Sequence, residues 1–96
     1  MIASFSDKAT EARFHSEGGK KVRSLPPEIH GTAIRRLDML NAAKELRDLR
    51  APPGNRLEAL RGELEGKHSI RVNDQWRIAF RWESGDAHDV EIVDYH

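Results

Sequence analysis

Apolar residues recur every three or four positions in the first half of the chain and alternate with polar residues in the second half. The repeats in the first half are Ile29, Ala33, Leu37 and Leu40, followed by Ala43 or Lys44. This spacing places them on one face of an amphipathic helix. Residues 26–28 (PPE) predict the helix start, because proline suits the first turn and glutamate complements the positive end of the helix dipole.

The residues before this helix predict two short elements. Residues 1–5 (MIASF) alternate apolar and small side chains, a pattern that favours a short first strand. Ser6 or Asp7 can then cap a short helix that runs to about His15, and Gly18-Gly19 breaks it.

The residues after the long helix predict a connection and then a sheet. Leu46 and Leu49 either extend the helix or form a further turn, and residues 51–55 (APPGN) end all helical character. The apolar period then changes from 3.6 to 2. Four strand candidates follow, around residues 57–60, 69–72, 77–82 and 90–92, with turn residues at Asn73-Asp74 and Ser84-Gly85-Asp86.

These elements predict an α+β fold in which an N-terminal short strand and helices pack on a C-terminal antiparallel β-sheet. The chain has 96 residues and 38% hydrophobic content, which suffices for one modest core, so we expect a single domain, 1–96. The segment at Pro52 and Pro53 is therefore interpreted as an internal connection, because neither half alone could bury a core.

The composition indicates the cellular compartment of the protein more clearly than it indicates its function. The chain contains no cysteine, which excludes disulfides and thiolate zinc sites and agrees with a reducing cytoplasm. No stretch approaches the roughly 20 apolar residues of a membrane span, so we expect a cytoplasmic protein. His15, His30 and His88 lack metal-ligand spacing, and no metal or cofactor is expected. Sixteen basic residues balance sixteen acidic ones, so net charge does not indicate an anionic partner.

The chain ends with Asp94-Tyr95-His96, an acid, a phenol and an imidazole after the last strand candidate. Histidine exchanges protons near neutral pH, so His96 is a candidate general acid or base. Alternation along a strand lets Asp94 and His96 share the functional face, together with Arg77 of the preceding strand, while Tyr95 points to the other side. In the preceding strand, Arg77 shares a face with Ala79 and Arg81, opposite Trp76 and Ile78.

Three spaced blocks of the sequence resemble one protein family. The blocks are residues 56–62 (RLEALRG), residues 66–80 (GKHSIRVNDQWRIAF) and the terminal Asp94-Tyr95-His96. They look like the HigB-type toxins of the RelE superfamily, and residues 1–5 and 46–55 fit the GraT-like branch. The resemblance spans nearly the whole chain. It implies a RelE-like fold and a toxin of a type II toxin–antitoxin system.

The resemblance also implies an activity and partners. Such a toxin is a ribosome-dependent endoribonuclease that cleaves mRNA in the ribosomal A site without a metal, and a helix-turn-helix repressor acts as its antitoxin. The 2′-OH attacks the neighbouring phosphate, which requires a base, positive charge on the phosphorane and an acid for the leaving oxygen. Arg77 suits the charge, because guanidinium is a planar, permanently ionised donor fork. His96, Tyr95 and Asp94 complete the candidate site, and Arg61, Lys67 and Arg71 can bind RNA phosphates.

Glu58 departs from the family pattern. It occupies the position at which several HigB-type toxins carry an active-site histidine. A carboxylate can serve as the base but adds negative charge near a phosphate, so we expect slower cleavage or a different assignment of acid and base. His68 could replace that histidine in space, although a structural role on the sheet is favoured. A toxin that binds antitoxin and ribosome with little cleavage is the alternative hypothesis. Gyrase inhibition is disfavoured, because it needs no arginine and histidine around a phosphate.

Overall fold

The computed structural model describes residues 1–6, 27–51, 53–62 and 65–94, which form the predicted α+β fold. An α-helix, α1 (His30–Ala42), follows a 3₁₀ turn at Pro27–Ile29 and packs on a four-stranded antiparallel sheet. The strands lie in the order β1-β2-β3-β4. They are β1 (Glu58–Ala59), β2 (His68–Arg71), β3 (Trp76–Glu83) and β4 (Asp86–Asp94). The predicted helix between Ser6 and His15 and the break at Gly18-Gly19 fall outside the described residues.

The predicted apolar face of the long helix is the face that α1 buries. The residues on it are at most 6% exposed: Ile29, Ala33, Leu37, Leu40 and Ala43. They form one hydrophobic core with Ile70, Ile78, Phe80 and Val90 from three strands of the sheet. Lys44, the alternative to Ala43, is exposed. Among the described residues, this cluster lies on the helix side of the sheet.

The connection from α1 to the sheet contains more helical structure than was expected from Pro52 and Pro53. A separate 3₁₀ helix at Leu46–Arg50 buries Leu49, and a 3₁₀ turn follows at Pro53–Asn55. A short 3₁₀ turn tolerates proline at its first position, since that N–H needs no partner. The prediction that residues 51–55 lack helical structure is therefore wrong. Asn55 is fully buried, and its side-chain amide donates to the carbonyl of Leu49 at 3.2 Å.

Both predicted turns are confirmed. The Asn73 side-chain oxygen accepts hydrogen bonds from the N–H groups of Gln75 and Trp76, each at 2.8 Å, which closes the turn between β2 and β3. Ser84 and Gly85 have φ of 56° and 82° between β3 and β4. Two successive positive φ values are characteristic of the type I′ hairpin turn.

The N-terminal segment, residues 1–6, runs parallel to β4 and covers that edge of the sheet. Ile2 pairs with Ala87 and Phe5 pairs with Val90. The predicted first strand is therefore in the expected place, but it forms two separate bridges instead of a continuous strand. Asp89, at φ 53°, lies between the two bridges, where the β3–β4 register also shifts. The strand at the opposite edge of the sheet is β1.

Candidate active site on the sheet face opposite the helix

Strand register brings three of the predicted site residues to one face of the sheet. Arg71 lies directly opposite Arg77, and Ser69 lies between its cross-strand partners Glu58 and Ala79. Directly paired residues point to the same face, and Ile78 between Arg77 and Ala79 belongs to the core beneath α1. Glu58, Arg71 and Arg77 therefore share the face opposite α1.

Arg77 is a buried, anchored arginine, with only 6% of its surface exposed. Its Nε donates to Ser69 Oγ at 2.7 Å, and its Nη2 donates to the carbonyls of Arg56 at 2.5 Å and Ser69 at 3.4 Å. Glu58 Oε1 lies 3.7 Å from the same Nη2. Hydrogen bonds from a charged donor are stronger than neutral ones, so these acceptors fix the guanidinium in one orientation.

Arg71 and Arg77 bring two like charges together at one cross-strand pair. Such a pair is destabilising unless other groups compensate. Asp74 forms an ion pair with Arg71, and the Glu58 carboxylate lies close to Arg77. Both carboxylates are largely exposed, at 96% and 51% of their side chains. An incoming phosphate can therefore compete with them for the two guanidinium groups.

The two arginines line a cavity of about 290 Å³. Its other lining residues are Arg56, Glu58, Asn73 and Asp74. Ligand cavities typically start at about 300 Å³, so the space suits a small group such as a sugar phosphate. Three arginines and two carboxylates meet here, which is a combination suited to holding an anion and moving a proton.

The other two predicted RNA-binding residues flank this site. Lys67 precedes β2 and lies 3.9 Å from Glu91, which is the cross-strand partner of Ala79. Arg61 is exposed beyond β1 and lines a separate open cavity of about 560 Å³ with residues 58–60. Neither residue lines the cavity of the arginine pair.

Asp94 lies on the opposite face from Arg77. It pairs with Trp76 at the end of β4, so it shares the face of Trp76 and Ile78. Its carboxylate accepts a hydrogen bond from Gln75 Nε2 at 3.1 Å. The expectation that Asp94 shares the face of Arg77 is therefore wrong, because it assumed alternation without the pairing register. Tyr95 and His96 fall outside the described residues.

His68 also lies on the helix side of the sheet. It pairs with Phe80, and the two rings stack with centroids 6.3 Å apart. Its Nδ1 is buried and has no hydrogen-bond partner. The neighbouring Glu58 points to the other face, so His68 does not take the place of the family histidine in space.

Arg81 is held away from the cavity at the far end of β3. Its Nε donates to Asp89 at 3.3 Å, and Glu83 forms a second ion pair with it. The hydrogen bond to Asp89 is the main reason that the pKa of Arg81 is raised above its ordinary value. Arg77 and Arg81 are thus two arginines of one strand with different partners and different burial.

Within the described ranges, no three metal-ligating side chains come together. The helices described there also include none long and apolar enough to cross a membrane.

Two residues of the site were not anticipated from the sequence. Ser69 carried a signal, because a serine two residues before Arg71 on the same strand must share its face. Arg56 contributes its carbonyl through a backbone with φ of 45°, which is uncommon for a residue other than glycine. The sequence carries no signal for that conformation.

Comparison with known proteins decides the family. Residues 3–96 match the family model described as a RelE-like toxin of the type II toxin–antitoxin system HigB. The chain belongs to this family. It is 45% identical over 87 residues to Toxin HigB-1 of Vibrio cholerae, covering 91% of this chain and 90% of that protein. It is 35% identical over 97 residues to Endoribonuclease HigB of Proteus vulgaris, covering 100% of both.

Solved structures confirm the fold of this HigB-like toxin. A chain in the heterotetrameric YoeB–YefM toxin–antitoxin complex from Staphylococcus aureus superposes with a TM-score of 0.61 and 11% identity, covering 100% of this chain and 98% of that one. A second YoeB–YefM complex from the same organism gives a TM-score of 0.52 at 12% identity, with the same coverage. As a toxin of a type II system, this chain has an antitoxin protein as its partner.

Proposed function

We propose that this HigB-like toxin is an mRNA endoribonuclease that acts in the ribosomal A site and uses Arg77 to stabilise the transition state. Family membership and the Proteus relative, whose name is Endoribonuclease HigB, support the nuclease activity. The observation that carries the assignment of Arg77 is its fixed guanidinium beside Arg71 on a cavity of about 290 Å³. Ribosome dependence is the further step of the proposal.

The reaction is an in-line attack by a ribose 2′-OH on the adjacent phosphate. The hydroxyl loses its proton, the phosphorane carries extra negative charge, and the 5′-oxygen leaves after it accepts a proton. Arg77 offsets the charge on the phosphorane, because a preorganised donor stabilises charge without reorganising during the reaction. The products are a 2′,3′-cyclic phosphate and a 5′-hydroxyl end, and the balance of protons requires one base and one acid.

Glu58 is the proposed base. Its carboxylate is half exposed on the cavity wall, 3.7 Å from Arg77, so a bound phosphodiester brings its neighbouring 2′-OH within reach. Geometry within hydrogen-bond reach is the first requirement for a general base. The opposing effect is that Glu58 competes with the phosphate for Arg77, which supports slower cleavage than a neutral histidine would give.

The terminal residues supply the remaining roles in this proposal. His96 protonates the leaving 5′-oxygen, Tyr95 stacks on a base or binds near the phosphate, and Asp94 orients one of them. Because Asp94 lies on the sheet face opposite Arg77, it can act on the cavity only through Tyr95 or His96 in this proposal. These assignments come from the family resemblance of the terminal tripeptide.

Arg61, Lys67 and Arg71 bind phosphates of mRNA and ribosomal RNA in this proposal. Lys67 and Arg71 lie on the same face as Arg77, and Arg61 is exposed at the neighbouring edge. Their contribution to affinity falls as salt rises, because bound cations displace counterions from RNA. The antitoxin is a helix-turn-helix repressor, and the toxin acts in the cytoplasm as a single domain, 1–96.

A toxin that binds antitoxin and ribosome with little cleavage is the second candidate. Two observations favour it: the donors of Arg77 already have protein acceptors, and the net charge is zero. Incubating purified toxin with mRNA, alone and on programmed ribosomes, separates the two hypotheses. Ends that appear only with ribosomes support the proposal. Intact mRNA with a toxin that still arrests growth supports the binding hypothesis.

A further inference from the structure

We infer that Ser69 is a positioning residue for Arg77, and that its hydroxyl holds the guanidinium in the orientation that the cleavage step needs. Ser69 is fully buried in the middle of β2. Its Oγ accepts the Arg77 Nε hydrogen bond at 2.7 Å, and its carbonyl accepts a longer bond from Nη2 at 3.4 Å. This inference rests on the proposed function of Arg77.

The register explains why the side chain of Arg77 reaches Ser69. Arg77 lies opposite Arg71, and Ser69 is two residues earlier on the same strand and face. The Arg77 side chain therefore runs diagonally over β2 toward β1, where it meets Arg56 and Glu58. Diagonal neighbours of this kind lie within reach of long side chains. Ser69 and its partner Ala79 are both small and fully buried, which leaves room for that path.

Ser69 and Arg56 hold the guanidinium at two points. The Nε and Nη2 atoms donate from the same edge of the planar group, one to Ser69 and the other to the Arg56 carbonyl at 2.5 Å. Two bonds along one edge fix both the position of the plane and its rotation. Without the serine hydroxyl, Nε loses its acceptor while the bonds of Nη2 to the two carbonyls remain, so the guanidinium plane can rotate about Nη2. Such a rotation moves the N–H donors away from the charge that develops on the phosphorane.

Glu58 makes the position of Arg77 sensitive to this restraint. Its carboxylate lies 3.7 Å from Nη2, and about half of its side chain is exposed. A guanidinium released from Ser69 can turn toward Glu58 and form a closer ion pair. In that ion pair, Arg77 would be bound to Glu58 and would no longer be free to bind the phosphate. The hydroxyl of Ser69 therefore favours the arrangement that leaves Arg77 available to the substrate.

The test compares Ser69→Ala with Ser4→Ala, which serves as the matched control. The Ser4 hydroxyl also accepts one hydrogen bond, from the Asp89 N–H at 2.9 Å, at the other edge of the sheet. Both changes remove one hydroxyl acceptor. Single-turnover cleavage on programmed ribosomes gives the rate at saturation and the concentration for half-saturation. We expect Ser69→Ala to lower the saturating rate by roughly tenfold to a hundredfold, with half-saturation little changed, and Ser4→Ala to keep the wild-type rate.

A double-mutant cycle with Arg77→Lys separates positioning from a general structural effect. Lysine has no guanidinium edge that could bind the Ser69 hydroxyl and the Arg56 carbonyl together. Adding Ser69→Ala to Arg77→Lys should therefore lower the rate no further. An equal loss in both backgrounds would overturn the inference, as would equal losses in Ser69→Ala and Ser4→Ala. Ser69→Cys, nearly the same size with a weak acceptor, replaces Ser69→Ala if the alanine variant does not fold.

A measurement independent of cleavage tests the geometry directly. The Arg77 Nε–H signal in a ¹⁵N-labelled protein should exchange slowly with water in the wild type and in Ser4→Ala, and faster in Ser69→Ala. Unchanged exchange in Ser69→Ala would overturn the inference. A wild-type protein with a protected signal and no cleavage would instead refute the proposed function and leave the anchoring by Ser69 standing.

Discussion

Replacing Arg77 with alanine will destabilise the fold as well as remove the guanidinium. Only 7% of the Arg77 side chain is exposed, and it supplies the hydrogen bonds described for Ser69 Oγ and the Arg56 carbonyl. A buried acceptor left without a donor costs about 1–3 kcal/mol. Ser69 Oγ is in a buried bond and the Arg56 carbonyl in a partly buried one, so we expect a total loss of about 2–4 kcal/mol.

Urea unfolding of the purified toxin, followed by tryptophan fluorescence and circular dichroism, measures this loss. With a slope of about 2 kcal/mol per M, in the middle of the usual range, the midpoint should fall by roughly 1–2 M. Arg81→Ala is the control, because Arg81 lies on the same strand with 42% of its side chain exposed and forms ion pairs with the partly exposed carboxylates of Glu83 and Asp89. Its midpoint should change much less.

Equal unfolding midpoints for Arg77→Ala and Arg81→Ala would show that the buried hydrogen bonds of Arg77 do not stabilise the fold more than the ion pairs of Arg81. The result also decides how toxicity data are interpreted. Because Arg77 is buried, Arg77→Ala should change both activity and stability, and lost toxicity in this variant does not by itself show a catalytic role. Arg77→Lys is the better functional variant, since it keeps the charge and most of the buried stem.

Three further predictions concern the RNA surface, the connection after α1 and the C-terminus. Arg61→Gln and Lys67→Gln should each weaken binding to ribosomes and reduce its dependence on salt, measured as binding against salt concentration; an unchanged slope would exclude a phosphate contact. The pKa of Asp48 is lowered from 3.8 by hydrogen bonds from the Glu45 and Lys44 N–H groups, so it stabilises the fold above that pH and less as the pH falls below it. Asp48→Asn should therefore melt below the wild type at pH 7, with a difference that narrows under pH 3.8; a difference independent of pH would contradict this. A C-terminal tag should reduce toxicity if His96 acts at the site, and equal toxicity of tagged and untagged toxin would argue against any role for this end.

The sequence predicted the fold well because its local signals agreed with one another. The apolar spacing from Ile29 to Ala43 marked one buried helix face, and Asn73 and Gly85 marked turns that only a few conformations satisfy. The exceptions are positions where tertiary contacts decide. The buried amide of Asn55 fixes the Pro53–Asn55 turn, and Asp89 interrupts the pairing of the N-terminal segment.

The site was predicted as a set of residues but not as an arrangement. Alternation along β3 identified the sheet face of Arg77, but it does not indicate how deeply the side chain is buried. That burial depends on contacts with Ser69 and Arg56, which lie on other segments of the chain. The face of Asp94 required the pairing of Trp76 with Asp94, which one strand alone does not reveal. The sequence could therefore name the candidate chemistry without placing each group.

The most direct test of the account is single-turnover cleavage of mRNA on programmed ribosomes by Arg77→Lys and Arg81→Lys, after both are shown to be folded. The two variants make the same change on one strand, at the cavity and away from it. We expect Arg77→Lys to cleave roughly a hundredfold or more slowly than the wild type, Arg81→Lys to cleave at the wild-type rate, and the products to carry 2′,3′-cyclic phosphate ends. Equal rates for the two folded variants would contradict the assignment of Arg77 to the transition state.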